Sequence, residues 1–560
     1  MGRKAVGIIM NDKQTFIKGA LILALANVIS KILGAVFKIP LTYILKEEGM
    51  AMFNTASCIY SMFLALVISG IPLATSRLVS AGAALKKYAD AAKTVRASRN
   101  ILMLIGAAAS LVLFFLAFPL SAAMKDPDAA YAVKIISPSV FFVAWGTAYK
   151  SYFQGIGKMT PTALSQVFEA IIRLLIGYFM AVLFINSADG VTAAAAVSGV
   201  TAGEILATLF LGAAYFFQSR KVKEHSTLRC RKIYSSIMAV AVPMLICSVT
   251  LSLLNLADMA TVRNTLLKIR FSPESAKQFL LLYSGYTTVF DDLPEVLRLS
   301  PEGARWLYGA YSGYALTVFH LPVGMISTLC VSILPLIAGN LAKNNMAAMR
   351  SACRNALSLT LFCSVPFFVL FAACSGEMLF LLFRNTASAH MLSLVSPCLI
   401  FLCVSQLFTS VFHASGKVYE PFVIQLFGVL IKLLGNIILI KIPMLNMDGA
   451  IISSVISFFL IMVLLGRRLH KVFGISFGAR PVFAPLVSAV PMYLVLKLTC
   501  TPLAGIFHNR YAALFSAAFV SGVAYLLCFS FFSPDGILSF FKTAPSKNKN
   551  NFFKNGEEYT

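Results

Sequence analysis

Ionisable side chains stand inside long apolar runs of this chain, and these are the residues that could do chemistry. Placing a charge in an apolar layer is costly, so each one predicts a binding site, an ion path or an internal pair. Five are cations, namely Lys31, Lys38, Arg77, Arg173 and Lys432, and three are acids, namely Glu169, Glu204 and Asp258.

The cations outnumber the acids, which favours an anionic ligand. A cationic cavity of low dielectric constant suits a phosphate or diphosphate group. Glu169 precedes Arg173 by four residues, so an ion pair within one helix is available to them. Lys31 has no acid at helical spacing, and it must therefore face a cavity or a partner on another helix.

Polar residues nearby could complete such a site. Glu204 and Asp258 could each neutralise a cation or bind a coupling ion. Asn436, Ser453 and Ser454 offer neutral oxygen ligands, and hydrogen bonds between helices are the alternative role for all three. His320 is a candidate proton-relay group.

The amino-acid composition predicts which kind of secondary structure positions these residues. The chain has 560 residues, 59% hydrophobic and 12% charged, with a mean hydropathy of +0.82. Soluble domains carry about twice that share of charge, so a soluble enzyme, a disordered chain and a secreted disulfide scaffold are excluded. At about 20 residues per span, we predict an all-α polytopic membrane protein with about 14 transmembrane helices.

The net charge of +25 predicts the orientation. Lys and Arg cluster in alternate loops, as expected for segments that stay in the cytoplasm. We therefore expect a multi-pass protein of a plasma membrane with both termini cytoplasmic. Most of the basic excess is then a topology signal and requires no nucleic-acid partner.

An internal repeat is visible at an offset of 259 residues. It pairs 136–142 with 395–401, Gly157-Lys158 with Gly416-Lys417, and Arg173 with Lys432. A second register, at an offset of 263, pairs Ser69 and Pro72 with Ser332 and Pro335. Because each half has an even number of spans, we predict two parallel six-helix repeats about a pseudo-twofold axis, plus two C-terminal helices. This architecture favours a transporter that works by alternating access.

The repeat and the loop charges predict the domain organisation. One long outer loop, 261–305, contains two helix-start signals, Ser272-Pro273-Glu274 and Ser300-Pro301-Glu302. The predicted segments are a cytoplasmic N-terminus (1–15), an N-terminal six-helix lobe (16–232), a C-terminal six-helix lobe that includes the outer loop (233–470), two extra transmembrane helices (471–541) and a disordered cytoplasmic tail (542–560).

Several motifs resemble those of known exporters. Ser30-Lys31-Ile32-Leu33-Gly34 resembles the span-one motif of MurJ-type lipid II flippases. The segments 70–79, 153–158 and 307–314 are similar to the stage V sporulation protein B and polysaccharide biosynthesis branch. Together they place the chain, over nearly its whole length, with the multidrug/oligosaccharidyl-lipid/polysaccharide (MOP) exporter superfamily.

The resemblance implies a function. Such proteins move an undecaprenyl-diphosphate-linked glycan, above all the peptidoglycan precursor lipid II, from the inner to the outer leaflet of the bacterial cell membrane. No bond is broken, so we expect no enzyme activity, no catalytic residue, no metal and no cofactor, with Na⁺ or H⁺ as the candidate coupling ion. The implied partners are the lipid-linked glycan, membrane lipids and cell-wall synthesis proteins.

The resemblance also implies roles for residues. Lys31 falls on the family's span-one cation, and Lys38 lies close to a second one. The family's span-eight arginine falls on Thr317 here, and we expect Lys432 to compensate for it. The predicted substrate-binding residues are Lys31, Lys38, Arg77, Arg173 and Lys432, and the predicted ion-coupling residues are Asp258, Glu204 and Asn436.

Five alternatives stay open. Within transport, the substrate could be another polysaccharide repeat unit or a precursor specific to the spore cortex, or the protein could export drugs. From other classes, a non-transporting membrane scaffold and a membrane glycan enzyme are possible readings. The enzyme would need clustered acids or histidines at one leaflet, and Asp291-Asp292 is the one acidic doublet in the outer loop.

Overall fold

A computed structural model describes residues 2–532, with gaps at 69, 85–87, 220–229, 284–285, 287–288, 328–336, 338–344, 418, 477–478 and 508–509. Every regular element in these residues is helical, which confirms the predicted all-α class. The reason is physical: a membrane offers no hydrogen-bond partners, so each apolar segment must satisfy its own backbone.

Twelve described helices are long and apolar enough to cross a membrane. The first candidate, Leu25–Ala65, is 41 residues long and is interrupted at Lys46, whose backbone is not helical. The predicted count of about fourteen stays a prediction, and so does the predicted tail at 542–560, which lies outside the described residues.

The described residues of the first half form seven α-helices and a short 3-10 helix at Pro127–Ala129. The α-helices are α1 (Gly2–Ile68), α2 (Ile71–Ala84), α3 (Tyr88–Phe115), α4 (Ala117–Ala123), α5 (Ala130–Gly155), α6 (Thr160–Leu183) and α7 (Asp189–Ser219).

The second half begins with α8 (Cys230–Leu266), followed by the outer-loop helices and a π-helical turn at Ala310–Ala315 from which the helix continues to residue 327. The remaining helices are α9 (Pro273–Tyr283), α10 (Leu293–Val296), α11 (Pro301–Gly309), α12 (Met346–Ala373), α13 (Ser375–Phe383), α14 (Ala389–Val395), α15 (Pro397–Ala414), α16 (Tyr419–Leu439), α17 (Asn446–Phe473), α18 (Ala479–Phe507) and α19 (Arg510–Phe532).

The repeat is visible in the turns that end α5 and α15. Gly157 and Gly416 both adopt positive φ, +75° and +77°, which glycine reaches without a steric cost. The amide of the following lysine donates to the phenylalanine carbonyl five residues back in both turns, Lys158 to Phe153 at 2.9 Å and Lys417 to Phe412 at 3.0 Å. The 259-residue register is therefore structural. Ser332 and Pro335, from the second register, lie outside the described residues.

Two main hydrophobic cores follow the two halves, and α8 contributes to both. Its residues Ile233, Ala241 and Met259 belong to the first core, whereas Val262 and Leu266 belong to the second. Gly70 permits the first contact: its φ is +69°, and a Cβ there would lie 2.6 Å from the backbone of Ala241. The core of the first half thus extends past the predicted boundary at residue 232.

The outer loop folds as its helix-start signals predict. Helix α9 follows Ser272, and α11 follows Ser300, whose hydroxyl accepts a hydrogen bond from the Gly303 amide at 2.9 Å. Between them, an aromatic cluster buries Phe279, Tyr283 and Trp306, with Phe279 and Phe290 at a centroid distance of 5.0 Å. This aromatic cluster is continuous with the hydrophobic core of the second half.

Candidate functional site

A cavity of about 1060 Å³ lies between the two halves. Helix α1 supplies one wall, the helical segment 308–327 supplies the facing wall, and α6, α7 and α15 complete it. Its ionisable residues are Lys31, Lys38, Arg173, Glu204 and His320. The structure therefore brings three of the five predicted substrate-binding cations to one cavity.

Lys31 reaches from α1 across to the second half. Its ammonium donates to the Gly324 carbonyl at 3.0 Å and to the Ser327 hydroxyl at 2.8 Å. Gly324 permits this approach, since a Cβ there would lie 2.8 Å from Lys31 Cδ. Among the described residues no carboxylate lies within 4 Å of Lys31. Both of its described hydrogen-bond partners are neutral oxygens.

Lys38 lies seven residues after Lys31, two helical turns further on the same face of α1. The rise of 1.5 Å per residue separates the two positions by about 10 Å along the helix. Lys38 also lines the cavity, and within the described part of the chain it forms no ion pair. Helix α1 thus presents two cations without acidic partners.

Arg173 is neutralised from within its own half. Its guanidinium lies 2.5 Å from Glu169, at the predicted spacing of one helical turn, and 3.9 Å from Glu204 on α7. Lys150 on α5 lies 3.8 Å from the second oxygen of Glu169. Arg173 is therefore held by an acid of its own half at the edge of the cavity, unlike Lys31.

Lys432 borders a second cavity of about 140 Å³. Its ammonium donates to Asp258 Oδ2 at 2.6 Å, and the amide of Asn436 donates to Asp258 Oδ1 at 2.7 Å. Asn436 in turn accepts a hydrogen bond from Ser453. Tyr308, Leu316 and His320 line both cavities, so the two are neighbours.

The predicted set of ion-coupling residues is divided between these two places. Asp258 and Asn436 are together, but Glu204 lies beside Arg173 and borders the large cavity. Thr317, at the position of the family's arginine, is buried in the wall of the large cavity. The side chain of Arg77 lies outside the described residues. The roles of all these residues stay predictions.

Sequence reasoning missed a buried ion pair at the predicted outer end. Asp126 is fully buried and lies 3.0 Å from Arg263 and 3.6 Å from Arg305. Thr55 donates to Asp126 at 2.8 Å, and Arg263 also donates to the Met124 carbonyl at 3.2 Å. The polar character of Asp126 and Arg263 at the ends of apolar runs was visible, but nothing in the sequence pairs residues so far apart.

Further contacts join the halves at this end. The Tyr43 hydroxyl donates to the Leu382 carbonyl at 2.7 Å, and Asn385 donates to Glu47 at 2.9 Å. Helix α11 packs so closely that a Cβ at Gly309 would lie 2.0 Å from the Glu47 carbonyl oxygen. The two halves are therefore joined at the predicted outer end, and the large cavity lies deeper.

The described residues around the large cavity suit an anion better than a metal ion. Within the described ranges, no group of three or more histidine, cysteine, aspartate or glutamate residues could hold a metal ion. A large cavity between two repeats, with two lysines that lack acidic partners, suits an anionic ligand that is bound and released.

Comparisons with known proteins agree with this fold. The family model described as polysaccharide biosynthesis protein matches residues 16–270, and the model described as lipid II flippase MurJ matches residues 308–531. Stage V sporulation protein B of Bacillus subtilis is 24% identical over 476 residues, 83% of this chain and 85% of that protein. Lipid II flippase MurJ of the same organism is 22% identical over 468 residues, 79% and 80% of the two chains.

Among solved structures, the inward closed conformation of lipid II flippase MurJ shares the fold. Its TM-score is 0.61 at 18% identity, over 92% of this chain and 99% of that one. The chain is therefore similar to polysaccharide-biosynthesis proteins in its first half and to MurJ-type proteins in its second half, and it shares its fold with solved transporters of the MOP superfamily.

Proposed function

We propose that this protein is a flippase that carries a diphosphate-linked glycan lipid across the membrane, with lipid II as the substrate. The observation that carries the proposal is the pair of α1 lysines, which line the large cavity without any described carboxylate partner. The similarity to stage V sporulation protein B and to MurJ supports the same substrate class.

The charge of the cavity favours a phosphorylated head group. A diphosphate provides several oxygens that accept charge-assisted hydrogen bonds, which are about twice as strong as neutral ones. Lys31 and Lys38 can contact such a group together, because they share one face of α1. The neutral donors Asn54, Ser57 and Ser61 line the same wall and suit the hydroxyl groups of a sugar.

A carrier of cationic drugs is less compatible with this cavity. It would need acids that are free to accept the drug's charge, and the cavity's Glu204 already lies 3.9 Å from Arg173. Glu169, the other acid of that cluster, is bonded to Arg173 at 2.5 Å. The repulsion from two unpaired ammonium groups would add to the cost of a cationic ligand.

Movement of the head group requires the two halves to change their relative position. Lys31 is bonded to Gly324 and Ser327 of the second half, so phosphate binding would exchange these neutral acceptors for charged ones. The prenyl chain would stay in the lipid while the head group crosses. No covalent bond changes in this mechanism.

Complementation tests the proposal. A bacterium depleted of its own lipid II flippase receives the wild type, Lys31→Ala or Lys497→Ala. Lys497 is an exposed lysine on α18, outside the cavity, and serves as the matched control. We expect the wild type and the control to restore growth, and Lys31→Ala to lose flipping at least tenfold, corresponding to about 1.4 kcal/mol.

Each outcome has a clear meaning once membrane expression is confirmed by immunoblot. Rescue by Lys31→Ala would show that the α1 cation is not the binding group. Failure of the wild type would exclude lipid II and leave another polysaccharide repeat unit or a sporulation-specific glycan as the substrate. Resistance to cationic drugs, unchanged in Lys31→Ala, would instead support drug export.

A further inference from the structure

The ammonium group of Lys432 borders the small cavity, among oxygen atoms that could otherwise bind an inorganic cation. Asp258 Oδ2 accepts from Lys432 at 2.6 Å, while its other oxygen accepts from Asn436 at 2.7 Å. Asn436 is fully buried, and Ser453, which donates to it, is only 2% exposed. The cavity is also bordered by the oxygen-bearing side chains of Ser454, Tyr308 and Tyr311.

The Asp258 carboxylate requires a positive partner. A carboxylate that is removed from water is destabilised unless a cation and hydrogen bonds compensate for its lost hydration. In this structure the partner is Lys432, which comes from α16, whereas Asp258 belongs to α8. Among the described residues no second acid lies within 4 Å of Lys432, so the pair is neutral as a unit.

A neutral pair has no net attraction for a second cation. Two unit charges about 4 Å apart repel by about 4 kcal/mol at an effective dielectric constant of 20. An inorganic cation beside Asp258 would have to displace the lysine or tolerate this repulsion. Its remaining ligands would be neutral oxygens, of which Asn436 Oδ1 already accepts from Ser453.

We propose that the Lys432 ammonium is a built-in cation that occupies a latent monovalent-cation site formed by Asp258 and its neighbouring oxygens. While Lys432 is present, the site takes no Na⁺. Removing the charge of Lys432 leaves the Asp258 carboxylate uncompensated and opens the site to Na⁺, a hard cation that prefers oxygen ligands. The inference stands on this cluster alone and does not depend on the substrate of the protein.

One consequence concerns energy coupling. A transporter that binds Na⁺ at a carboxylate in each cycle couples its movement to the sodium gradient. Here a tethered cation stays with the carboxylate, so the Asp258 cluster does not couple movement to Na⁺. The predicted coupling role of Asp258 and Asn436 is thereby replaced with a structural one, in which the ion pair joins α8 to α16.

Thermal unfolding of the purified full-length protein in detergent tests the inference without any substrate. The Tm is measured in NaCl and in choline chloride at equal ionic strength. Five proteins are compared: wild type, Lys432→Gln, Lys432→Met, the double variant Lys432→Gln/Asp258→Asn, and Lys497→Gln as a matched surface lysine. Gln at position 432 keeps a donor for Asp258 but removes the charge. Lys432→Met, of similar length, is the second variant.

We expect no Na⁺-specific change of Tm for the wild type and the Lys497 variant. Lys432→Gln should unfold at a lower temperature than the wild type in choline and regain about 2 °C or more in saturating Na⁺, because a ligand that binds only the folded state stabilises it. The double variant should show no Na⁺ response.

Specific stabilisation of the wild type by Na⁺ would overturn the inference, because it would show an inorganic cation site despite the lysine. An unresponsive Lys432→Gln, or failure to recover both Lys432 variants even in Na⁺, would show that Na⁺ cannot replace the ammonium. Neither result would bear on lipid II transport, which the complementation test decides separately.

Discussion

Arg173 and Lys432 occupy equivalent positions in the two repeats, but their charges are neutralised in different ways. Arg173 is paired with Glu169 on its own helix, and Glu204 on α7 is a second acid at 3.9 Å. Lys432 is paired with Asp258, which comes from α8 and is 174 residues away in sequence. In the first repeat the acidic partner lies on the same helix as the cation, and in the second repeat it lies on another helix.

A third cation completes the comparison, because Lys31 has neither arrangement. It is bonded to neutral oxygens of Gly324 and Ser327 and borders the cavity of about 1060 Å³. Residue type and depth therefore do not distinguish these three cations, whereas the presence and position of an acidic partner do. Changing a paired charge should cost stability, and changing an unpaired one should cost transport with little change in stability.

The largest loss of stability is expected where the pair is most buried. Asp126→Asn would leave Arg263, which is 2% exposed, without its carboxylate, and breaking such a pair costs about 3–5 kcal/mol. Asp128→Asn is the matched control, because Asp128 also bonds to Arg305, at 3.2 Å, but its side chain is 59% exposed. A control of this kind should lose less than about 1 kcal/mol.

Chemical unfolding of both variants in mixed micelles measures these free energies. Equal losses of unfolding free energy in Asp126→Asn and Asp128→Asn would show that burial does not determine how much an ion pair at the predicted outer end contributes to stability. The comparison between paired and unpaired cations would then lose its physical basis.

The equivalent cations Arg173 and Lys432 predict a smaller difference in stability when their acidic partners are replaced. Glu169→Gln should cost about 1 kcal/mol, because Arg173 keeps Glu204 as a second acid. Asp258→Asn should cost more, about 2–3 kcal/mol, because Lys432 has no other described acid within 4 Å. The same unfolding assay measures both variants. A larger loss of unfolding free energy for Glu169→Gln than for Asp258→Asn would contradict the idea that Arg173 keeps a second acid whereas Lys432 does not.

The sequence predicted what depends on periodicity and on local spacing. Apolar run length predicted the helices, and the 259-residue register predicted the matching turns at Gly157 and Gly416. The four-residue spacing of Glu169 and Arg173 predicted their pair. The lysine at position 31 was expected to face a cavity because no acid stood at helical spacing, and it does line one.

Contacts between distant helices could not be predicted in this way. The pairs Lys432–Asp258 and Arg263–Asp126 depend on how helices from different parts of the chain are placed, and a single sequence contains no distance across the bundle. The substrate-binding role of Lys432 stays a prediction, and the structure adds Asp258 as its partner. The repeat did place Lys432 correctly with respect to Arg173, but it could not supply the partner.

A partly exposed pair, His390–Asp448, tests the lower end of the series. His390 precedes the span Pro397–Ala414 and lies 2.7 Å from Asp448, with 44% of its side chain exposed. The hydrogen bond to Asp448 raises the pKa of His390 above its usual value of 6.5. Since the folded pKa is the higher one, the stabilisation is fully present below pH 6.5 and is lost as the pH rises through the folded pKa.

Unfolding free energy measured from pH 6 to pH 9 should therefore fall by less than about 1 kcal/mol in the wild type, because exposed pairs contribute little. His390→Gln removes the titrating group and should remove that part of the slope, so the difference between the two curves isolates the pair. An equal slope in both proteins would show that His390 and Asp448 are not coupled. The burial of an ion pair would then no longer predict its contribution to the unfolding free energy, from the fully buried Asp126 to the exposed His390.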